Sequence, residues 1–135
     1  MSLEIQQRDR EGVAVLEMKG RITVGKEATA LREKVAELSA ANQKNLVFNL
    51  AGVDYIDSTG LGALVMCAMT LRKAGGNVKL VHLNKRNIEL LVMTKLATSF
   101  EIFTDETDAV GSYYPDRKIK TFDILDFVNK MKHED

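Results

Sequence analysis

The sequence predicts a single α/β domain, with a small mixed β-sheet of about five strands, about four helices packed on it and a C-terminal helical extension. Three observations carry this expectation. Short apolar, β-favouring runs alternate with longer stretches whose apolar residues recur at helical spacing, the pattern of a sheet covered by helices. The 135 residues are 45% hydrophobic, enough to enclose one core. The one proline, in Tyr113-Tyr114-Pro115-Asp116, marks a boundary, so residues 1–112 read as the domain and 113–135 as the extension.

The elements follow in order. Residues 4–9 and 12–19 carry apolar positions on either side of Arg10-Glu11-Gly12 and read as two strands joined by a hairpin or short loop. Residues 20–25 break that pattern. From 26 to 41, Ala28, Leu31, Val35 and Leu38 form one apolar stripe of an amphipathic helix. Residues 45–50 read as a buried central strand, and 51–56 as the segment leading on to Asp57. An uncharged helical run to Leu71 follows, with Leu61, Leu64, Val65, Ala68 and Leu71 facing the core and Gly75-Gly76 ending it.

Residues 77–82 read as the next strand, and Asn84 as the cap of a helix to about Leu96 with Ile88, Leu91, Val92 and Met93 inward. Residues 100–103 form a short strand, after which Thr104 or Asp105 caps a short helix through Ala109 and Val110. In the extension, Phe122, Leu125, Val128 and Met131 fall at helical spacing after a Thr121 cap, so residues 119–131 are expected to dock as a helix.

Composition excludes several functions. Lys plus Arg and Asp plus Glu are 19 each, so the basic excess used for non-specific phosphate binding is missing and no direct nucleic-acid role is expected. Cys67 is the one cysteine and sits in an apolar stretch, which reads as a buried bystander in a reducing cytoplasm. The first residues lack the basic region and apolar run of a signal peptide. The longest uncharged stretch, 58–71, is shorter than the roughly 20 residues that span a bilayer, so a cytoplasmic protein without membrane insertion is expected. His82 and His133 with a single cysteine do not supply a structural zinc site, and no cofactor signature occurs.

The informative segment is Asp57-Ser58-Thr59-Gly60-Leu61-Gly62. Asp57 and Ser58 both suit the start of a helix, whereas each glycine costs it roughly 1 kcal/mol relative to alanine. Two readings stand side by side: glycines for close packing on the sheet, or a helix start kept bare for another protein's backbone. Ser58, Gly62, Met66, Met69 and Lys73 share a face at spacings of three and four. If exposed, the two methionines make a soft contact patch; if buried, they extend the core.

The stretch Val53-Asp54-Tyr55-Ile56-Asp57-Ser58-Thr59-Gly60-Leu61-Gly62 closely resembles the signature of the STAS domain, specifically that of the anti-sigma-factor antagonists. Gly20-Arg21-Ile22-Thr23, the strand at 46–50 and Gly75-Gly76 occur in the matching order, and the similarity covers about residues 3–110. The resemblance implies a STAS-like fold and a regulatory protein, a substrate and switch without catalytic, cofactor or metal residues. It implies that Ser58 is phosphorylated by an anti-sigma-factor serine kinase, which the unmodified form binds, freeing a sigma factor. A PP2C-type phosphatase would reverse the modification. On this reading the partner-binding residues are Thr23, Asp57, Ser58, Thr59, Gly60, Gly62, Met66 and Met69. Many antagonists carry an aspartate in a Gly-x-Leu-Asp loop, where this chain has Thr23. The extension is longer than the minimal family domain, and a homodimer through it or through the methionine face stays open.

Three other readings compete. A serine hydrolase would pair Ser58 with His82, but Ile56 occupies the first glycine position of the Gly-x-Ser-x-Gly elbow. A nucleotide-binding module would use the helix start, yet neither a P-loop nor a G-x-G-x-x-G occurs. A STAS scaffold in a stress-sensing complex or lipid-transport system would dock elsewhere, for example through Arg72, Lys73, Lys85 and Arg86, a pattern that charged, solvated helix faces ordinarily show.

Overall fold

The structure is a computed structural model and describes residues 3–117 and 119–132. Met1, Ser2, Lys118 and the expected extension's last residues, 133–135 with His133, lie outside the described residues. The strands are β1 (Leu3–Arg10), β2 (Val13–Ile22), β3 (Asn45–Ile56), β4 (Asn77–Val81) and β5 (Glu101–Phe103). The helices are α1 (Lys26–Ala40), α2 (Ser58–Lys73), α3 (Lys85–Met93), α4 (Glu106–Gly111) and α5 (Ile124–Lys132), with a 3₁₀ turn at Ala97–Ser99. The sheet is mixed, as the sequence predicts: its order is β1-β2-β3-β4-β5, with β1 antiparallel to β2 and all other neighbours parallel.

Arg10 pairs with Val13, leaving Glu11 and Gly12 as a two-residue turn with φ of 53° and 84°. Both values are positive, as a turn matching the twist of its strands requires, and glycine meets the demand without strain. Alternation along the strands then builds two unequal cores. On one face Leu16, Leu46, Phe48, Leu50, Val78 and Leu80 pack against α1, α2 and α3 through Leu31, Val35, Leu64, Leu71 and Leu91. On the other face Val13, Val15, Val47, Val81 and Phe103 meet Ala109 and Val110 of α4. Each fully buried aliphatic side chain contributes about 1.5–3 kcal/mol, so the three-helix face supplies most of the stability. Cys67 lies inside that larger core, and burial pushes its thiol up to about 12.

Several boundaries differ from the sequence reading. The second strand runs on to Ile22, and residues 51–56, expected to link strand to helix, continue β3. They pair with β2 from Lys19↔Gly52 to Ile22↔Ile56, with one register shift just before this run and one inside it, which scramble the alternation that would have revealed a strand. The α3 helix ends at Met93, three residues early, because the Thr94 hydroxyl donates to the Leu90 carbonyl at 2.8 Å and Lys95 turns left-handed at φ 63°. Met93 points outward, 75% exposed. Asn87 joins Ile88 and Leu91 on the buried side, its amide donating to the Val53 carbonyl at 3.1 Å.

The extension also departs from expectation. Asp123, not Thr121, opens α5, its carboxylate accepting from the Asp126 N–H at 2.9 Å. No residue of α5 is buried, and Leu125 is 76% exposed. The half-buried side is Ile124, Phe127, Val128 and Met131, and the anchor is Phe122 ahead of the helix, whose N–H donates to the Ile102 carbonyl at 2.8 Å. Opposite, the Glu106 carboxylate of α4 receives Arg8 at 2.7 Å, Arg10 at 2.6 Å and Asn49 at 3.0 Å, tying α4 to the hairpin. Among the described residues, no helix is long and apolar enough to cross a membrane.

Candidate functional site

Because β2 to β5 run parallel, their C-terminal ends share one edge of the sheet, and the loops beyond them gather there. The chain leaves β3 at Ile56 and enters α2 through Asp57, which is extended (φ −90°, ψ −179°) and caps the helix. One carboxylate oxygen accepts from the Gly60 N–H at 2.7 Å and the other from the Val24 N–H at 3.0 Å. The Asp57 N–H donates to the Ile22 carbonyl at 3.2 Å. This one residue therefore satisfies the helix start and fastens the β2–α1 loop to it, which is why an aspartate serves here better than a serine.

Ser58 and Thr59, next along the chain, are exposed, and the Ser58 hydroxyl forms no hydrogen bond among the described residues. The face shared by Ser58, Gly62, Met66, Met69 and Lys73 is exposed throughout, with Met66 at 49% and Met69 at 45%. The methionines lie outside the core. Around Gly62 there is open space where a Cβ would stand.

Gly60 is different. It is buried, and a Cβ there would meet the Ile22 carbonyl oxygen at 1.8 Å. Grouped by sequence with the contact residues, Gly60 lies inside, where it lets α2 close onto β2. Close packing on the sheet thus accounts for Gly60, whereas Gly62 is exposed. Thr23 is half-buried, its carbonyl accepting from the Ala28 N–H at 3.1 Å to start α1. Its neighbour Val24, 67% exposed and bound by Asp57, was not singled out by sequence.

Beside Ser58 lies an open groove of about 280 Å³ between the end of β3 and α3, lined among others by Tyr55, Asp57, Ser58, Arg86, Leu90 and Met93. The Arg86 guanidinium stands 4.8 Å from the centre of the Tyr55 ring, and that of Arg21 stands 6.0 Å from it. Tyr55, Arg86 and Met93 join the site only through the topology; no local signal in residues 85–93 announces that this helix returns to the end of β3. A second cleft of about 260 Å³ separates α1 from α2 beside Met66 and Cys67. His82 is exposed with φ 61° and lines a third cleft with Ile88 and Phe122. Ser58 and His82 thus face different clefts, and the hydrolase pairing is not assembled.

Comparison with known proteins adds to this geometry. The STAS domain family matches residues 4–109. The anti-sigma-B factor antagonist of Bacillus subtilis is 34% identical over 102 residues, covering 76% of this chain and 92% of that protein. The anti-sigma-F factor antagonist RsfB of Mycobacterium tuberculosis is 33% identical over 114 residues, covering 81% and 88%. Among solved structures, an anti-sigma factor antagonist from Mycobacterium paratuberculosis superposes with a TM-score of 0.70 at 24% identity, over 82% of this chain and 93% of that one.

Proposed function

This chain belongs to the STAS domain family, and we propose that it is an anti-sigma-factor antagonist whose Ser58 accepts phosphate from an anti-sigma-factor serine kinase. The observation that carries this reading is the unengaged Ser58 hydroxyl, exposed at the start of α2 on one face with Gly62, Met66 and Met69. The names of its relatives supply the partner class.

In the unmodified state the bare Gly62 and the adaptable methionines form the docking face for the kinase, and the sigma factor held by that kinase is released. In the kinase, the γ-phosphoryl group of ATP passes to the Ser58 oxygen, ADP leaves and the hydroxyl gives up its proton. A PP2C-type phosphatase then hydrolyses the ester and restores the hydroxyl. The protein acts in the cytoplasm as substrate and switch.

The energetics favour a switch that blocks an interface over one that remodels the fold. The phosphate adds about −1.5 to −2 charge at the positive end of the α2 dipole, a favourable term of roughly 0.3–1 kcal/mol. Repulsion from Asp57 opposes it on the same scale. In a packed interface, an unpaired buried charge costs roughly 3–5 kcal/mol, about two to four decades in affinity. The interface term dominates. Thr23, uncharged where many antagonists carry an aspartate, changes the charge that the kinase meets at this loop.

The test has two parts. Pull-downs with Ser58→Ala and Ser58→Asp baits identify the kinase, and phosphopeptide mapping after its reaction with ATP is expected to find phosphate on Ser58. Ser58→Asp should then bind the kinase at least about a hundredfold more weakly at an unchanged melting temperature. Phosphate on Thr59 alone, or unaltered affinity, would overturn the reading.

A further inference from the structure

We infer that Arg86 is the intramolecular partner of the phosphate on Ser58: the phosphoserine turns into the groove between the end of β3 and α3 and pairs with the Arg86 guanidinium. This rests on Ser58 being the phosphate acceptor and adds a regulatory device to that site. Ser58 and Arg86 line the same groove of about 280 Å³, on its α2 and α3 sides respectively.

Both positions are fixed to the end of β3. Ser58 follows Asp57, whose carboxylate is held by two backbone N–H groups. The first turn of α3 is fastened by Asn84, which accepts from the Asn87 N–H at 2.8 Å and donates to the Val53 and Asp54 carbonyls at 3.3 Å. The buried Asn87 amide adds its bond to the Val53 carbonyl at 3.1 Å. Arg86, between Lys85 and Asn87, is therefore carried on a rigid turn.

Charge selects the same pair. Asp57 and Glu89 are the carboxylates lining this groove, and Arg86 is the cation among its lining residues. Asp57 cannot rotate away without losing both of its hydrogen bonds, so it repels a phosphate on the adjacent residue, and Arg86 is the lining group that attracts it, against the repulsion of Glu89 on the same helix. There the guanidinium lies against Tyr55 and, among the described residues, has no carboxylate partner. Stacking on a ring leaves its N–H donors available, and their fork geometry suits phosphate oxygens. Arg21 contacts the same ring but does not line the groove. Pairing would draw the phosphate across Tyr55, Leu90 and Met93; one guanidinium neutralises only part of its charge of about −1.5 to −2, so the remaining charge and the masked surface together oppose docking.

The experiment uses the full chain with phosphoserine installed at position 58 during translation, which requires no kinase. Phosphorus NMR titration at low salt reads the second ionisation of the phosphate, whose ordinary value is about 6. A guanidinium partner favours the dianion, so the parent should titrate at least about 0.5 unit below Arg86→Gln. Arg86→Lys should recover part of the shift, and Arg21→Gln should match the parent. In the unsubstituted chain, the Arg86 Nε–H resonance should move on phosphate installation, a readout that needs no variant. Equal titration of parent and Arg86→Gln, an equal shift on Arg21→Gln, or an unmoved Arg86 resonance would overturn the pairing. Kinase binding by the same phosphoserine chain is a separate measurement: undiminished affinity there would overturn the proposed function and leave the pairing standing.

Discussion

Gly60 sits against the backbone of Ile22: a Cβ on Gly60 would stand 1.8 Å from the Ile22 carbonyl oxygen. That oxygen also accepts from the Asp57 N–H at 3.2 Å, so it cannot move aside freely. Gly60→Ala should therefore destabilise the protein by about 2–3 kcal/mol, as overpacking against fixed atoms does. Gly62→Ala, with open space around it, should stabilise α2 by about 0.5–1 kcal/mol while weakening kinase binding. Urea denaturation and a binding titration on the two variants read this opposition, and equal denaturation midpoints would contradict it.

Asp57→Ala removes the acceptor for both Gly60 and Val24. The expected loss is about 1–2 kcal/mol, the range for a helix cap. Amide exchange should accelerate at Val24 and Gly60 together, because one carboxylate protects both. Acceleration at Gly60 alone would mean that the β2–α1 loop is held in place by something else.

Acid should act through Glu106. Hydrogen bonds from Arg8 lead the effects that hold its carboxyl at about 2, below the ordinary 4.5. A lowered folded-state pKa gives stability that is present above about pH 4.5 and drains as pH falls through about 2. Screening at this partly solvated site limits the contribution to about 1–2 kcal/mol. Glu106→Gln should lose that amount at pH 7 and show a flatter pH dependence between pH 5 and 2, measured by thermal melts across that range. An unchanged slope would remove Glu106 from the account.

The extension should divide into a protected anchor and an open helix. Phe122 packs against the larger core and its N–H is bonded to Ile102, whereas no residue of α5 is buried. Phe122→Ala should cost about 1–3 kcal/mol, while Leu125→Ser should stay within about 0.5 kcal/mol. Hydrogen exchange should be slow at the Phe122 amide and fast through residues 124–132. Slow exchange across the whole helix would show that it is covered.

What could be read from sequence was whatever is encoded within a few residues. The Asn84 cap, a short link at Arg10-Glu11-Gly12 and the common face of Ser58, Gly62, Met66 and Met69 follow from local chemistry and period, whereas the exposure of that face and the choice of Asp105 over Thr104 are set by packing. The continuation of β3 through Gly52 and Asp54 was hidden because register shifts break the alternation. Leu125 and Met93 were misplaced because helical spacing permits more than one inward side, and only packing chooses. The meeting of Tyr55 with Arg86, 31 positions apart in sequence, is tertiary and has no local trace.

The two rims of the sheet are poor templates for lateral growth. One rim, β1, bears Glu4, Gln6, Arg8 and Arg10 along its length, and the other, β5, is three residues long. Charged or very short rims discourage strand addition by another chain. Strand-by-strand aggregation is thus disfavoured even when the molecule is abundant.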